Sequence, residues 1–372
     1  MTGSTTARVP RARAARRILE GAALAWLVTL ALVGAGTARG AVFPDLYTLT
    51  VTPDPQAVDT RQAAIDLAMR RLLVRITGER DPDSDPALRT LIEDASRYVA
   101  SVALGIDRER ARVEFYPALI ERALGGLQRP VWGPERPLTL LWIAIDGGDG
   151  ERALLGADGA HGDFGPAVGL GAVAEAIRAE IDRVADERGL PLALPLLDLE
   201  DLAGVTFADV WGGFVEPVRA ASSRYGADAI LIGRVRLNPF GNSVQWMLLR
   251  GDERRTFAGT DIAEGLHWVA DTFARDFSVI GGASTVRLVV RGVTSFAEYG
   301  RVMSYLESLS ALQSIDVEAY ENGLLSLRAS ARGDVDVLER VLGLGRVLEL
   351  DRSSGARTDN TLVLRIARGL ER

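Results

Sequence analysis

The sequence predicts a multidomain protein of α/β and α+β class, with three folding units behind a separate leader. Its 372 residues exceed the size of one typical core. In the middle of the chain, short apolar runs alternate with amphipathic helical patterns, which is typical of an α/β sheet. After Gly281-Gly282 the order strand, helix, strand, strand, helix, strand matches a ferredoxin-like βαββαβ fold. We expect a small α+β domain over residues 41–134, an α/β domain over 135–280 and a ferredoxin-like domain over 281–372.

Residues 1–40 have the three parts of a secretory signal peptide. A start with five arginines precedes an apolar run over residues 22–33, and small residues follow up to Ala38-Arg39-Gly40. Because Ala38 and Gly40 suit the −3 and −1 positions of a cleavage site, we expect a cut after Gly40 and a periplasmic location. The run is short for a membrane span. An uncleaved helix anchored in the inner membrane is the alternative.

Composition excludes several classes of function. The chain has no cysteine, which excludes disulfides, thiol catalysis and cysteine metal sites. All 43 basic residues are arginine, which excludes P-loop and Schiff-base lysines. Residues 1–40 hold six of these arginines and one of the 50 acidic residues, so the remainder has 37 arginines, 49 acidic residues and a net charge of −12. So acidic a chain is not expected to bind nucleic acid or anionic lipid.

The first unit is expected to place strands around one long helix. Residues 46–51 alternate and are rich in β-forming side chains, so they predict a strand. Asp59 suits the N-cap of a helix that runs to about residue 76 and stops at Gly78. Paired strands over residues 97–106 and 111–116 and a helix from Pro117 complete the unit.

Alternating carboxylates at Asp81, Asp83 and Asp85 are similar to a calcium loop. Pro86 stands where an EF-hand turn requires glycine. A proline at the first helical position favours the other interpretation, in which Asp85 caps a helix that starts at Pro86.

The central unit is expected to be organised around buried strands. Residues 138–145 are almost wholly apolar, which favours a central parallel strand. Residues 228–237 begin with a second apolar run and end with alternating arginines. The other expected elements are a glycine-rich loop over 147–165, a helix closed by Gly189, a buried strand over 192–197, a helix within 211–225, edge strands over 244–250 and 254–259, and a helix over 261–277.

The third unit has the clearest pattern. Ser295 is expected to cap a helix reaching residue 309, and Glu321-Asn322-Gly323 is a strong hairpin signal. The remaining expected elements are strands over 286–293, 315–320, 324–329, 347–350 and 361–366, and a helix over 334–342.

The candidate site residues are polar side chains near the central strands. Asp198, Glu200 and Asp201 follow a predicted strand, where open α/β sheets place ligands. Paired carboxylates there could serve as acid and base, or they could cap the following helix as loop residues. Asp228 and Arg234 complete the candidate ligand or partner surface. We expect the Asp228 carboxylate to accept backbone hydrogen bonds and so to be structural.

The sequence indicates no catalytic, cofactor-binding or metal-binding residues. Gly169-Leu170-Gly171 matches part of a dinucleotide motif but follows Ile145 by about twenty residues, whereas such a site requires the glycines directly after the first strand. His161 is expected to be solvated and His267 to lie partly in the core. Four tryptophans are expected to be core anchors rather than a stacking platform, namely Trp132, Trp142, Trp211 and Trp246.

Several stretches resemble one protein family. They cover residues 72–78, 130–142, 194–201 and 224–229. Together they are similar to the exported proteobacterial family called domain of unknown function 2066, over roughly residues 42–280. That resemblance implies export and assigns no activity or catalytic residue.

Tyr225-Gly226-Ala227-Asp228, with its flanking helix and strand, resembles a second group of proteins. This is the small α/β domain of envelope-assembly proteins, among them the amino-terminal domain of the Tol-system propeller protein, the curli secretion lipoprotein and penicillin-binding-protein activator lipoproteins. The likeness covers roughly residues 136–280 and implies a role in the cell envelope.

These observations predict an exported, non-enzymatic binding or scaffold protein of the envelope, whose partner is another envelope protein. No cofactor is expected. The alternatives are an enzyme and a small-molecule sensor, each using carboxylates at the carboxyl ends of the central sheet.

Overall fold

The computed structural model describes residue 43 and residues 45–105, 109–148, 150–162, 165–167, 169–281, 283–345, 347–351 and 360–367. The predicted signal peptide lies outside these residues, as does Gly282 of the predicted hinge. Residues 40–372 form one compact unit. Its described part is a mixed α/β structure with three sheets, as the sequence predicts at that level.

The first sheet has three antiparallel strands with helices packed against it. The elements are β1 (Thr48–Val51), α1 (Thr60–Thr77), α2 (Pro86–Glu93), β2 (Val99–Leu104), β3 (Ala111–Phe115) and α3 (Pro117–Gly126), with a 3₁₀ turn at Ala95–Tyr98. The strand order is β1-β3-β2. One hydrophobic cluster fills the space between α1 and this sheet.

Capping residues determine where the first helices begin and end. The Asp59 carboxylate accepts a hydrogen bond from the Gln62 amide at 3.0 Å, and Gly78 ends α1 with a φ of 77°. That left-handed conformation favours glycine. Asp85 accepts from the Ala87 amide at 2.9 Å, which confirms the helix-cap interpretation of Asp85.

The second sheet is the largest part of the fold. Its strands are β4 (Thr139–Asp146), β5 (Arg152–Gly156), β6 (Gly159–Gly162), β7 (Gly165–Pro166), β8 (Leu192–Ala193), β9 (Ala229–Arg236), β10 (Ser243–Arg250) and β11 (Glu253–Gly259). The associated helices are α4 (Gly171–Arg188), α5 (Leu199–Gly204), α6 (Phe207–Gly212), α7 (Val215–Ser222) and α8 (Ile262–Phe277). The strand order is β11-β10-β9-β4-β5-β6-β7, and β8 pairs with β4 beside β5.

β4 is the predicted central strand. All eight of its residues are buried, and it runs parallel to β9 and β8. Alternate side chains point to opposite faces. Leu141, Ile143 and Ile145 join the cluster with α4 and α8, while Leu140 and Trp142 join a separate cluster on the other face.

Two predictions for the central unit are wrong. The expected loop over residues 147–165 contains β5 to β7, because the apolar run Ala153-Leu154-Leu155 continues the buried sheet beyond β4. His161 therefore lies half-buried in β6. Of the buried strand expected over residues 192–197, only β8 forms, and it is half-exposed and two residues long. Pro195 limits its length, because proline has no backbone N–H to donate to a neighbouring strand.

The helix expected within residues 211–225 is present as α7, but it is separate from the preceding helix α6. Gly213 takes a φ of 69° and ends α6. The chain then restarts as α7 and closes with a 3₁₀ turn at Ser223–Tyr225. A left-handed residue cannot continue an α-helix, so one apolar pattern becomes several short segments.

The third sheet follows at the carboxyl end. Its elements are β12 (Ala283–Arg291), α9 (Phe296–Glu307), β13 (Leu312–Glu321), β14 (Leu324–Arg332), α10 (Val335–Leu342), β15 (Leu348–Leu350) and β16 (Thr361–Ile366). The strand order is β13-β14-β12-β16-β15, in which β12 is antiparallel to β14 and parallel to β16. Ser295 caps α9 as predicted, forming a capping box with Glu298, and Asn322-Gly323 make the predicted hairpin turn.

No helix in the described ranges combines the length and apolarity required to cross a membrane.

Candidate functional site

The predicted carboxylate cluster forms a closed hydrogen-bonded network around Arg224. The guanidinium binds Asp198 at 2.7 and 2.9 Å and Asp201 at 3.2 Å, and lies 3.6 Å from Glu200. The Asp198 carboxylate also caps α5 by accepting from the amides of Glu200 and Asp201. The hydrogen bond from Arg224, aided by the Asp201 amide, lowers the pKa of Asp198 to about 2. Asp198 is therefore a charged structural cap at neutral pH.

Asp201 is the buried member of this network. It is 1% exposed, and its carboxylate accepts from the Leu197 amide at 2.9 Å and from the Tyr225 hydroxyl at 2.5 Å. Burial, followed by the hydrogen bond to Asp201, raises the pKa of Tyr225 to about 12. Leu197 has a φ of 52°, which is uncommon for a residue with a side chain. The carboxylate thus stabilises a strained turn by charge-assisted bonds.

Asp228 and Arg234 lie apart along one strand. Asp228 precedes β9 and joins it to β4: its carboxylate accepts from the Leu138 amide, and its own amide donates to the Leu138 carbonyl, both at 2.8 Å. This is the amino end of the sheet's parallel strands, so Asp228 is not at the expected carboxyl ends. Arg234 is six residues further along, or about 20 Å at strand spacing. These two residues do not form one site.

Arg234 belongs to an arginine–aromatic cluster at the carboxyl end of β9. Its guanidinium donates to the Trp211 carbonyl at 3.3 Å. Phe207 and Trp211 stack with ring centroids 5.4 Å apart, Arg152 lies over Phe207, and Arg236 lies over Trp211. Trp211 is only partly buried, whereas three other tryptophans are the predicted core anchors, namely Trp132, Trp142 and Trp246.

A groove of about 550 Å³ lies between α4 and β8. Its floor is the chain from Pro191 to Leu194, one wall is the face of α4 that carries Ala179 and Asp182, and Ala157 closes one end. The Ala157 amide donates to the Pro195 carbonyl, and its carbonyl accepts from Arg178 at 2.8 Å. These bonds hold the end of the groove in place.

The floor of the groove is an open strand edge. β8 pairs with β4 along one side, and no other strand in the described ranges pairs with it. The Thr139 amide donates to the Pro191 carbonyl at 2.9 Å. Because alternate residues of a strand face opposite neighbours, the backbone polar groups of Leu192 in β8 point away from β4. An extended peptide could bind to them by strand addition.

The groove carries one unneutralised negative charge. Arg178 binds Glu175 at 3.2 Å. Asp182 is exposed and has no hydrogen-bond or ion-pair partner within the described part of the chain. A basic side chain on a bound segment would complement it.

A buried arginine fixes the end of α4 beside this groove. Arg136 is fully buried and stacks on Trp132 at 3.9 Å. It donates to backbone carbonyls at the ends of two helices, those of Arg75 at 2.8 Å and of Arg188 and Gly189 at 2.8 and 2.9 Å. Burial lowers its pKa to about 9, so it stays charged at neutral pH. A cation at two helix C-termini is favourable, because carbonyls there lack helical partners.

Arg188 continues this buried network toward α8. It is 1% exposed and donates to Asp271 at 2.7 Å and to the Gly78 carbonyl at 3.0 Å. Its guanidinium also approaches Nδ1 of His267 at 3.3 Å. Burial and then Arg188 lower the pKa of His267. His267 is therefore neutral and half-buried, which agrees with its expected place at the edge of the core.

Neither remaining sequence motif defines a ligand site. The Gly169 amide donates to Glu151 at 3.0 Å, and α4 starts two residues later, after β5 to β7. No group of three or more His, Asp or Glu side chains among the described residues is arranged to hold a metal ion.

Neither the groove nor Arg136 was among the candidate site residues predicted from the sequence. Pro191 and Pro195 flank the short apolar run that forms the groove floor. Prolines on both sides of a strand-like run favour a short edge segment over a central strand, and that signal could have indicated the open edge.

One comparison with known proteins finds a match. Residues 41–133 match a family described as Domain of unknown function (DUF8605). These residues contain the first sheet and its helices. No curated protein and no solved structure matches the chain.

Proposed function

We propose that this protein is a non-enzymatic binding or scaffold module of the cell envelope that holds an extended segment of another exported protein. The observation that carries the proposal is the open edge of β8 inside a groove formed with α4. Most surface strand edges are shielded, because unpaired backbone groups attract other chains. Because α4 forms the wall of the groove, a single strand can pair with the edge of β8, and there is no room for further strands to add to it.

The bound segment is short, extended and basic. Residues 191–194 offer an edge of about 10 Å, enough for roughly three residues of a partner strand. Leu190, Leu192 and Leu194 line the groove and favour apolar side chains on the segment. Asp182 favours one arginine or lysine at the rim.

A peptide-library selection against the purified protein tests this proposal. We expect enriched peptides to combine apolar residues with one basic residue. Substituting Ala179→Trp should fill the groove and weaken their binding at least about tenfold, or about 1.4 kcal/mol. Asp182→Asn should weaken it up to about fivefold, as for an exposed ion pair. Hydrogen exchange should show new protection at the amide of Leu192.

Ala176→Trp is the matched control. Ala176 is exposed on the same helix as Ala179 but does not line the groove. This variant should bind the selected peptides like the unmodified protein. Failure to enrich any peptide, or equal binding to the Ala176→Trp and Ala179→Trp variants, would contradict strand addition in the groove.

We further propose that the chain is exported by cleavage after Gly40 and acts in the periplasm. The basic start, short apolar run and small residues at the cut support this. Mass spectrometry of the mature protein should find an amino terminus at Ala41. An intact amino terminus recovered with the inner membrane would instead support the anchored alternative.

A binding role has more support than an enzyme or a small-molecule sensor. The carboxylates of Asp198 and Asp201 are occupied by Arg224, Tyr225 and backbone amides. Asp228 lies at the opposite strand end from the expected site. Membership in the family of domain of unknown function 2066 and a relation to envelope-assembly domains remain predictions. The ferredoxin-like assignment of the third sheet also remains a prediction. The order of its first elements supports that assignment.

A further inference from the structure

A second cavity lies where α3 meets the end of β14. Its volume is about 330 Å³. Gly125 and Arg122 of α3 form one side, and Arg332 forms the other. Between them the backbones of Val131 and Val279 form an isolated antiparallel bridge, with N···O distances of 2.9 Å in both directions.

The cavity has more positive than negative groups. Arg122, Arg129 and Arg332 line it, against the single carboxylate of Glu121. Arg332 and the Tyr47 hydroxyl both bind Glu121. Outside the cavity, Asp85 binds Arg129 at 2.6 Å.

These pairings leave one positive charge without a counterpart. Arg122 is exposed, and it has no hydrogen-bond or ion-pair partner among the residues that the structure describes. One monoanionic group would therefore neutralise the cavity. Arginine suits a carboxylate because its planar guanidinium can donate two parallel hydrogen bonds.

Apart from Gln313, the uncharged lining is apolar or lacks a side chain. Ala118, Val131 and Val279 contribute methyl groups, and Gly125 contributes none. Most small-molecule sites combine such an apolar lining with a few polar anchors. The cavity volume lies within the usual range for such sites, about 300–1,000 Å³.

We infer that this cavity binds a monocarboxylate with a short apolar body, its carboxylate toward Arg122 and its chain against the Val131–Val279 bridge. The site is separate from the strand edge of β8 and does not depend on the proposed peptide binding. A ligand here would contact α3, the Val131–Val279 bridge and β14 together.

Calorimetric titration with acetate, hexanoate and octanoate tests this inference. Affinity should rise along the series by roughly fourfold per methylene, the factor expected for burying each group. Gly125→Leu should abolish octanoate binding by filling the cavity, because a Cβ at Gly125 meets nothing within 4 Å. Arg122→Gln should weaken octanoate binding up to about fivefold, as for an exposed ion pair.

The chain provides a matched control for each variant. Gly126→Leu also enters open space at the end of α3, but residue 126 does not line the cavity. Arg301→Gln changes an exposed arginine elsewhere, on α9. Both controls should bind octanoate normally, and the melting temperature of each variant shows whether it is folded. Three outcomes would overturn the inference: no octanoate binding, equal binding by the two leucine variants, or affinity independent of chain length.

Discussion

Replacing Arg136 with methionine is expected to lower the free energy of unfolding by about 3–5 kcal/mol, the range for breaking a buried charged group's interactions. The guanidinium donates to five backbone carbonyls, including those at the ends of α1 and α4. Methionine fills much of the space but donates no hydrogen bond. Buried carbonyls left without partners each cost about 1–3 kcal/mol. Thermal unfolding should show a melting temperature lower by roughly 6–20 °C.

Two further variants make the Arg136 result specific. Arg136→Lys retains a charge but has three donors for five carbonyls, so it should be destabilised by an intermediate amount. Arg301→Met removes an exposed arginine and should change stability by no more than about 0.5 kcal/mol. Hydrogen exchange should increase at the ends of α1 and α4 in Arg136→Met. Unchanged stability and exchange would show that Arg136 does not hold these helix ends.

Asp201→Ala is expected to cost on the order of 3 kcal/mol of stability, because it removes the buried carboxylate that accepts hydrogen bonds from Tyr225 and Arg224. It also frees the Leu197 amide in a turn with positive φ. Asp201→Asn should lower stability less than Asp201→Ala but remain destabilising. The NH2 group of the asparagine side chain would face groups that are themselves hydrogen-bond donors. Chemical denaturation of each purified variant measures both changes.

Glu200→Ala is the adjacent control for Asp201. Glu200 is largely exposed and lies 3.6 Å from Arg224, so its removal should change stability by less than about 1 kcal/mol. If Asp201→Ala were instead as stable as the unmodified protein, the buried carboxylate would be retained at a cost, as functional residues often are. The alternative of a ligand site around Asp198 and Asp201 would then gain support.

Much of the fold could be predicted because its signals are local. Asp59 and Gly78 mark the ends of α1, Ser295 starts α9 with its capping box, and Asn322-Gly323 marks the β13–β14 hairpin. Each signal depends on hydrogen bonds within a few residues, or on a backbone angle that few residue types adopt.

Other elements depend on contacts that are distant in sequence. Residues 152–166 read as a loop because glycines separate their apolar residues, yet β5 is buried against β4. Residues 192–197 read as a buried strand, yet only β8 forms and its outer edge is open. Whether an apolar run becomes central or remains at an edge is decided by the neighbours it meets.

By itself the sequence predicted the mixed α/β class of the fold, the caps of several helices and the central place of β4. It also excluded cysteine and lysine chemistry. It also named Asp198, Asp201 and Asp228 as residues of interest. Only the tertiary structure decided that their carboxylates hold turns and strands together, that Arg136 is buried at two helix ends, and that β8 has an open edge in a groove. The physical reason is that the role of a charged side chain depends on which backbone groups and counter-charges folding brings to it. Among the described residues, those partners lie up to 211 residues away in sequence.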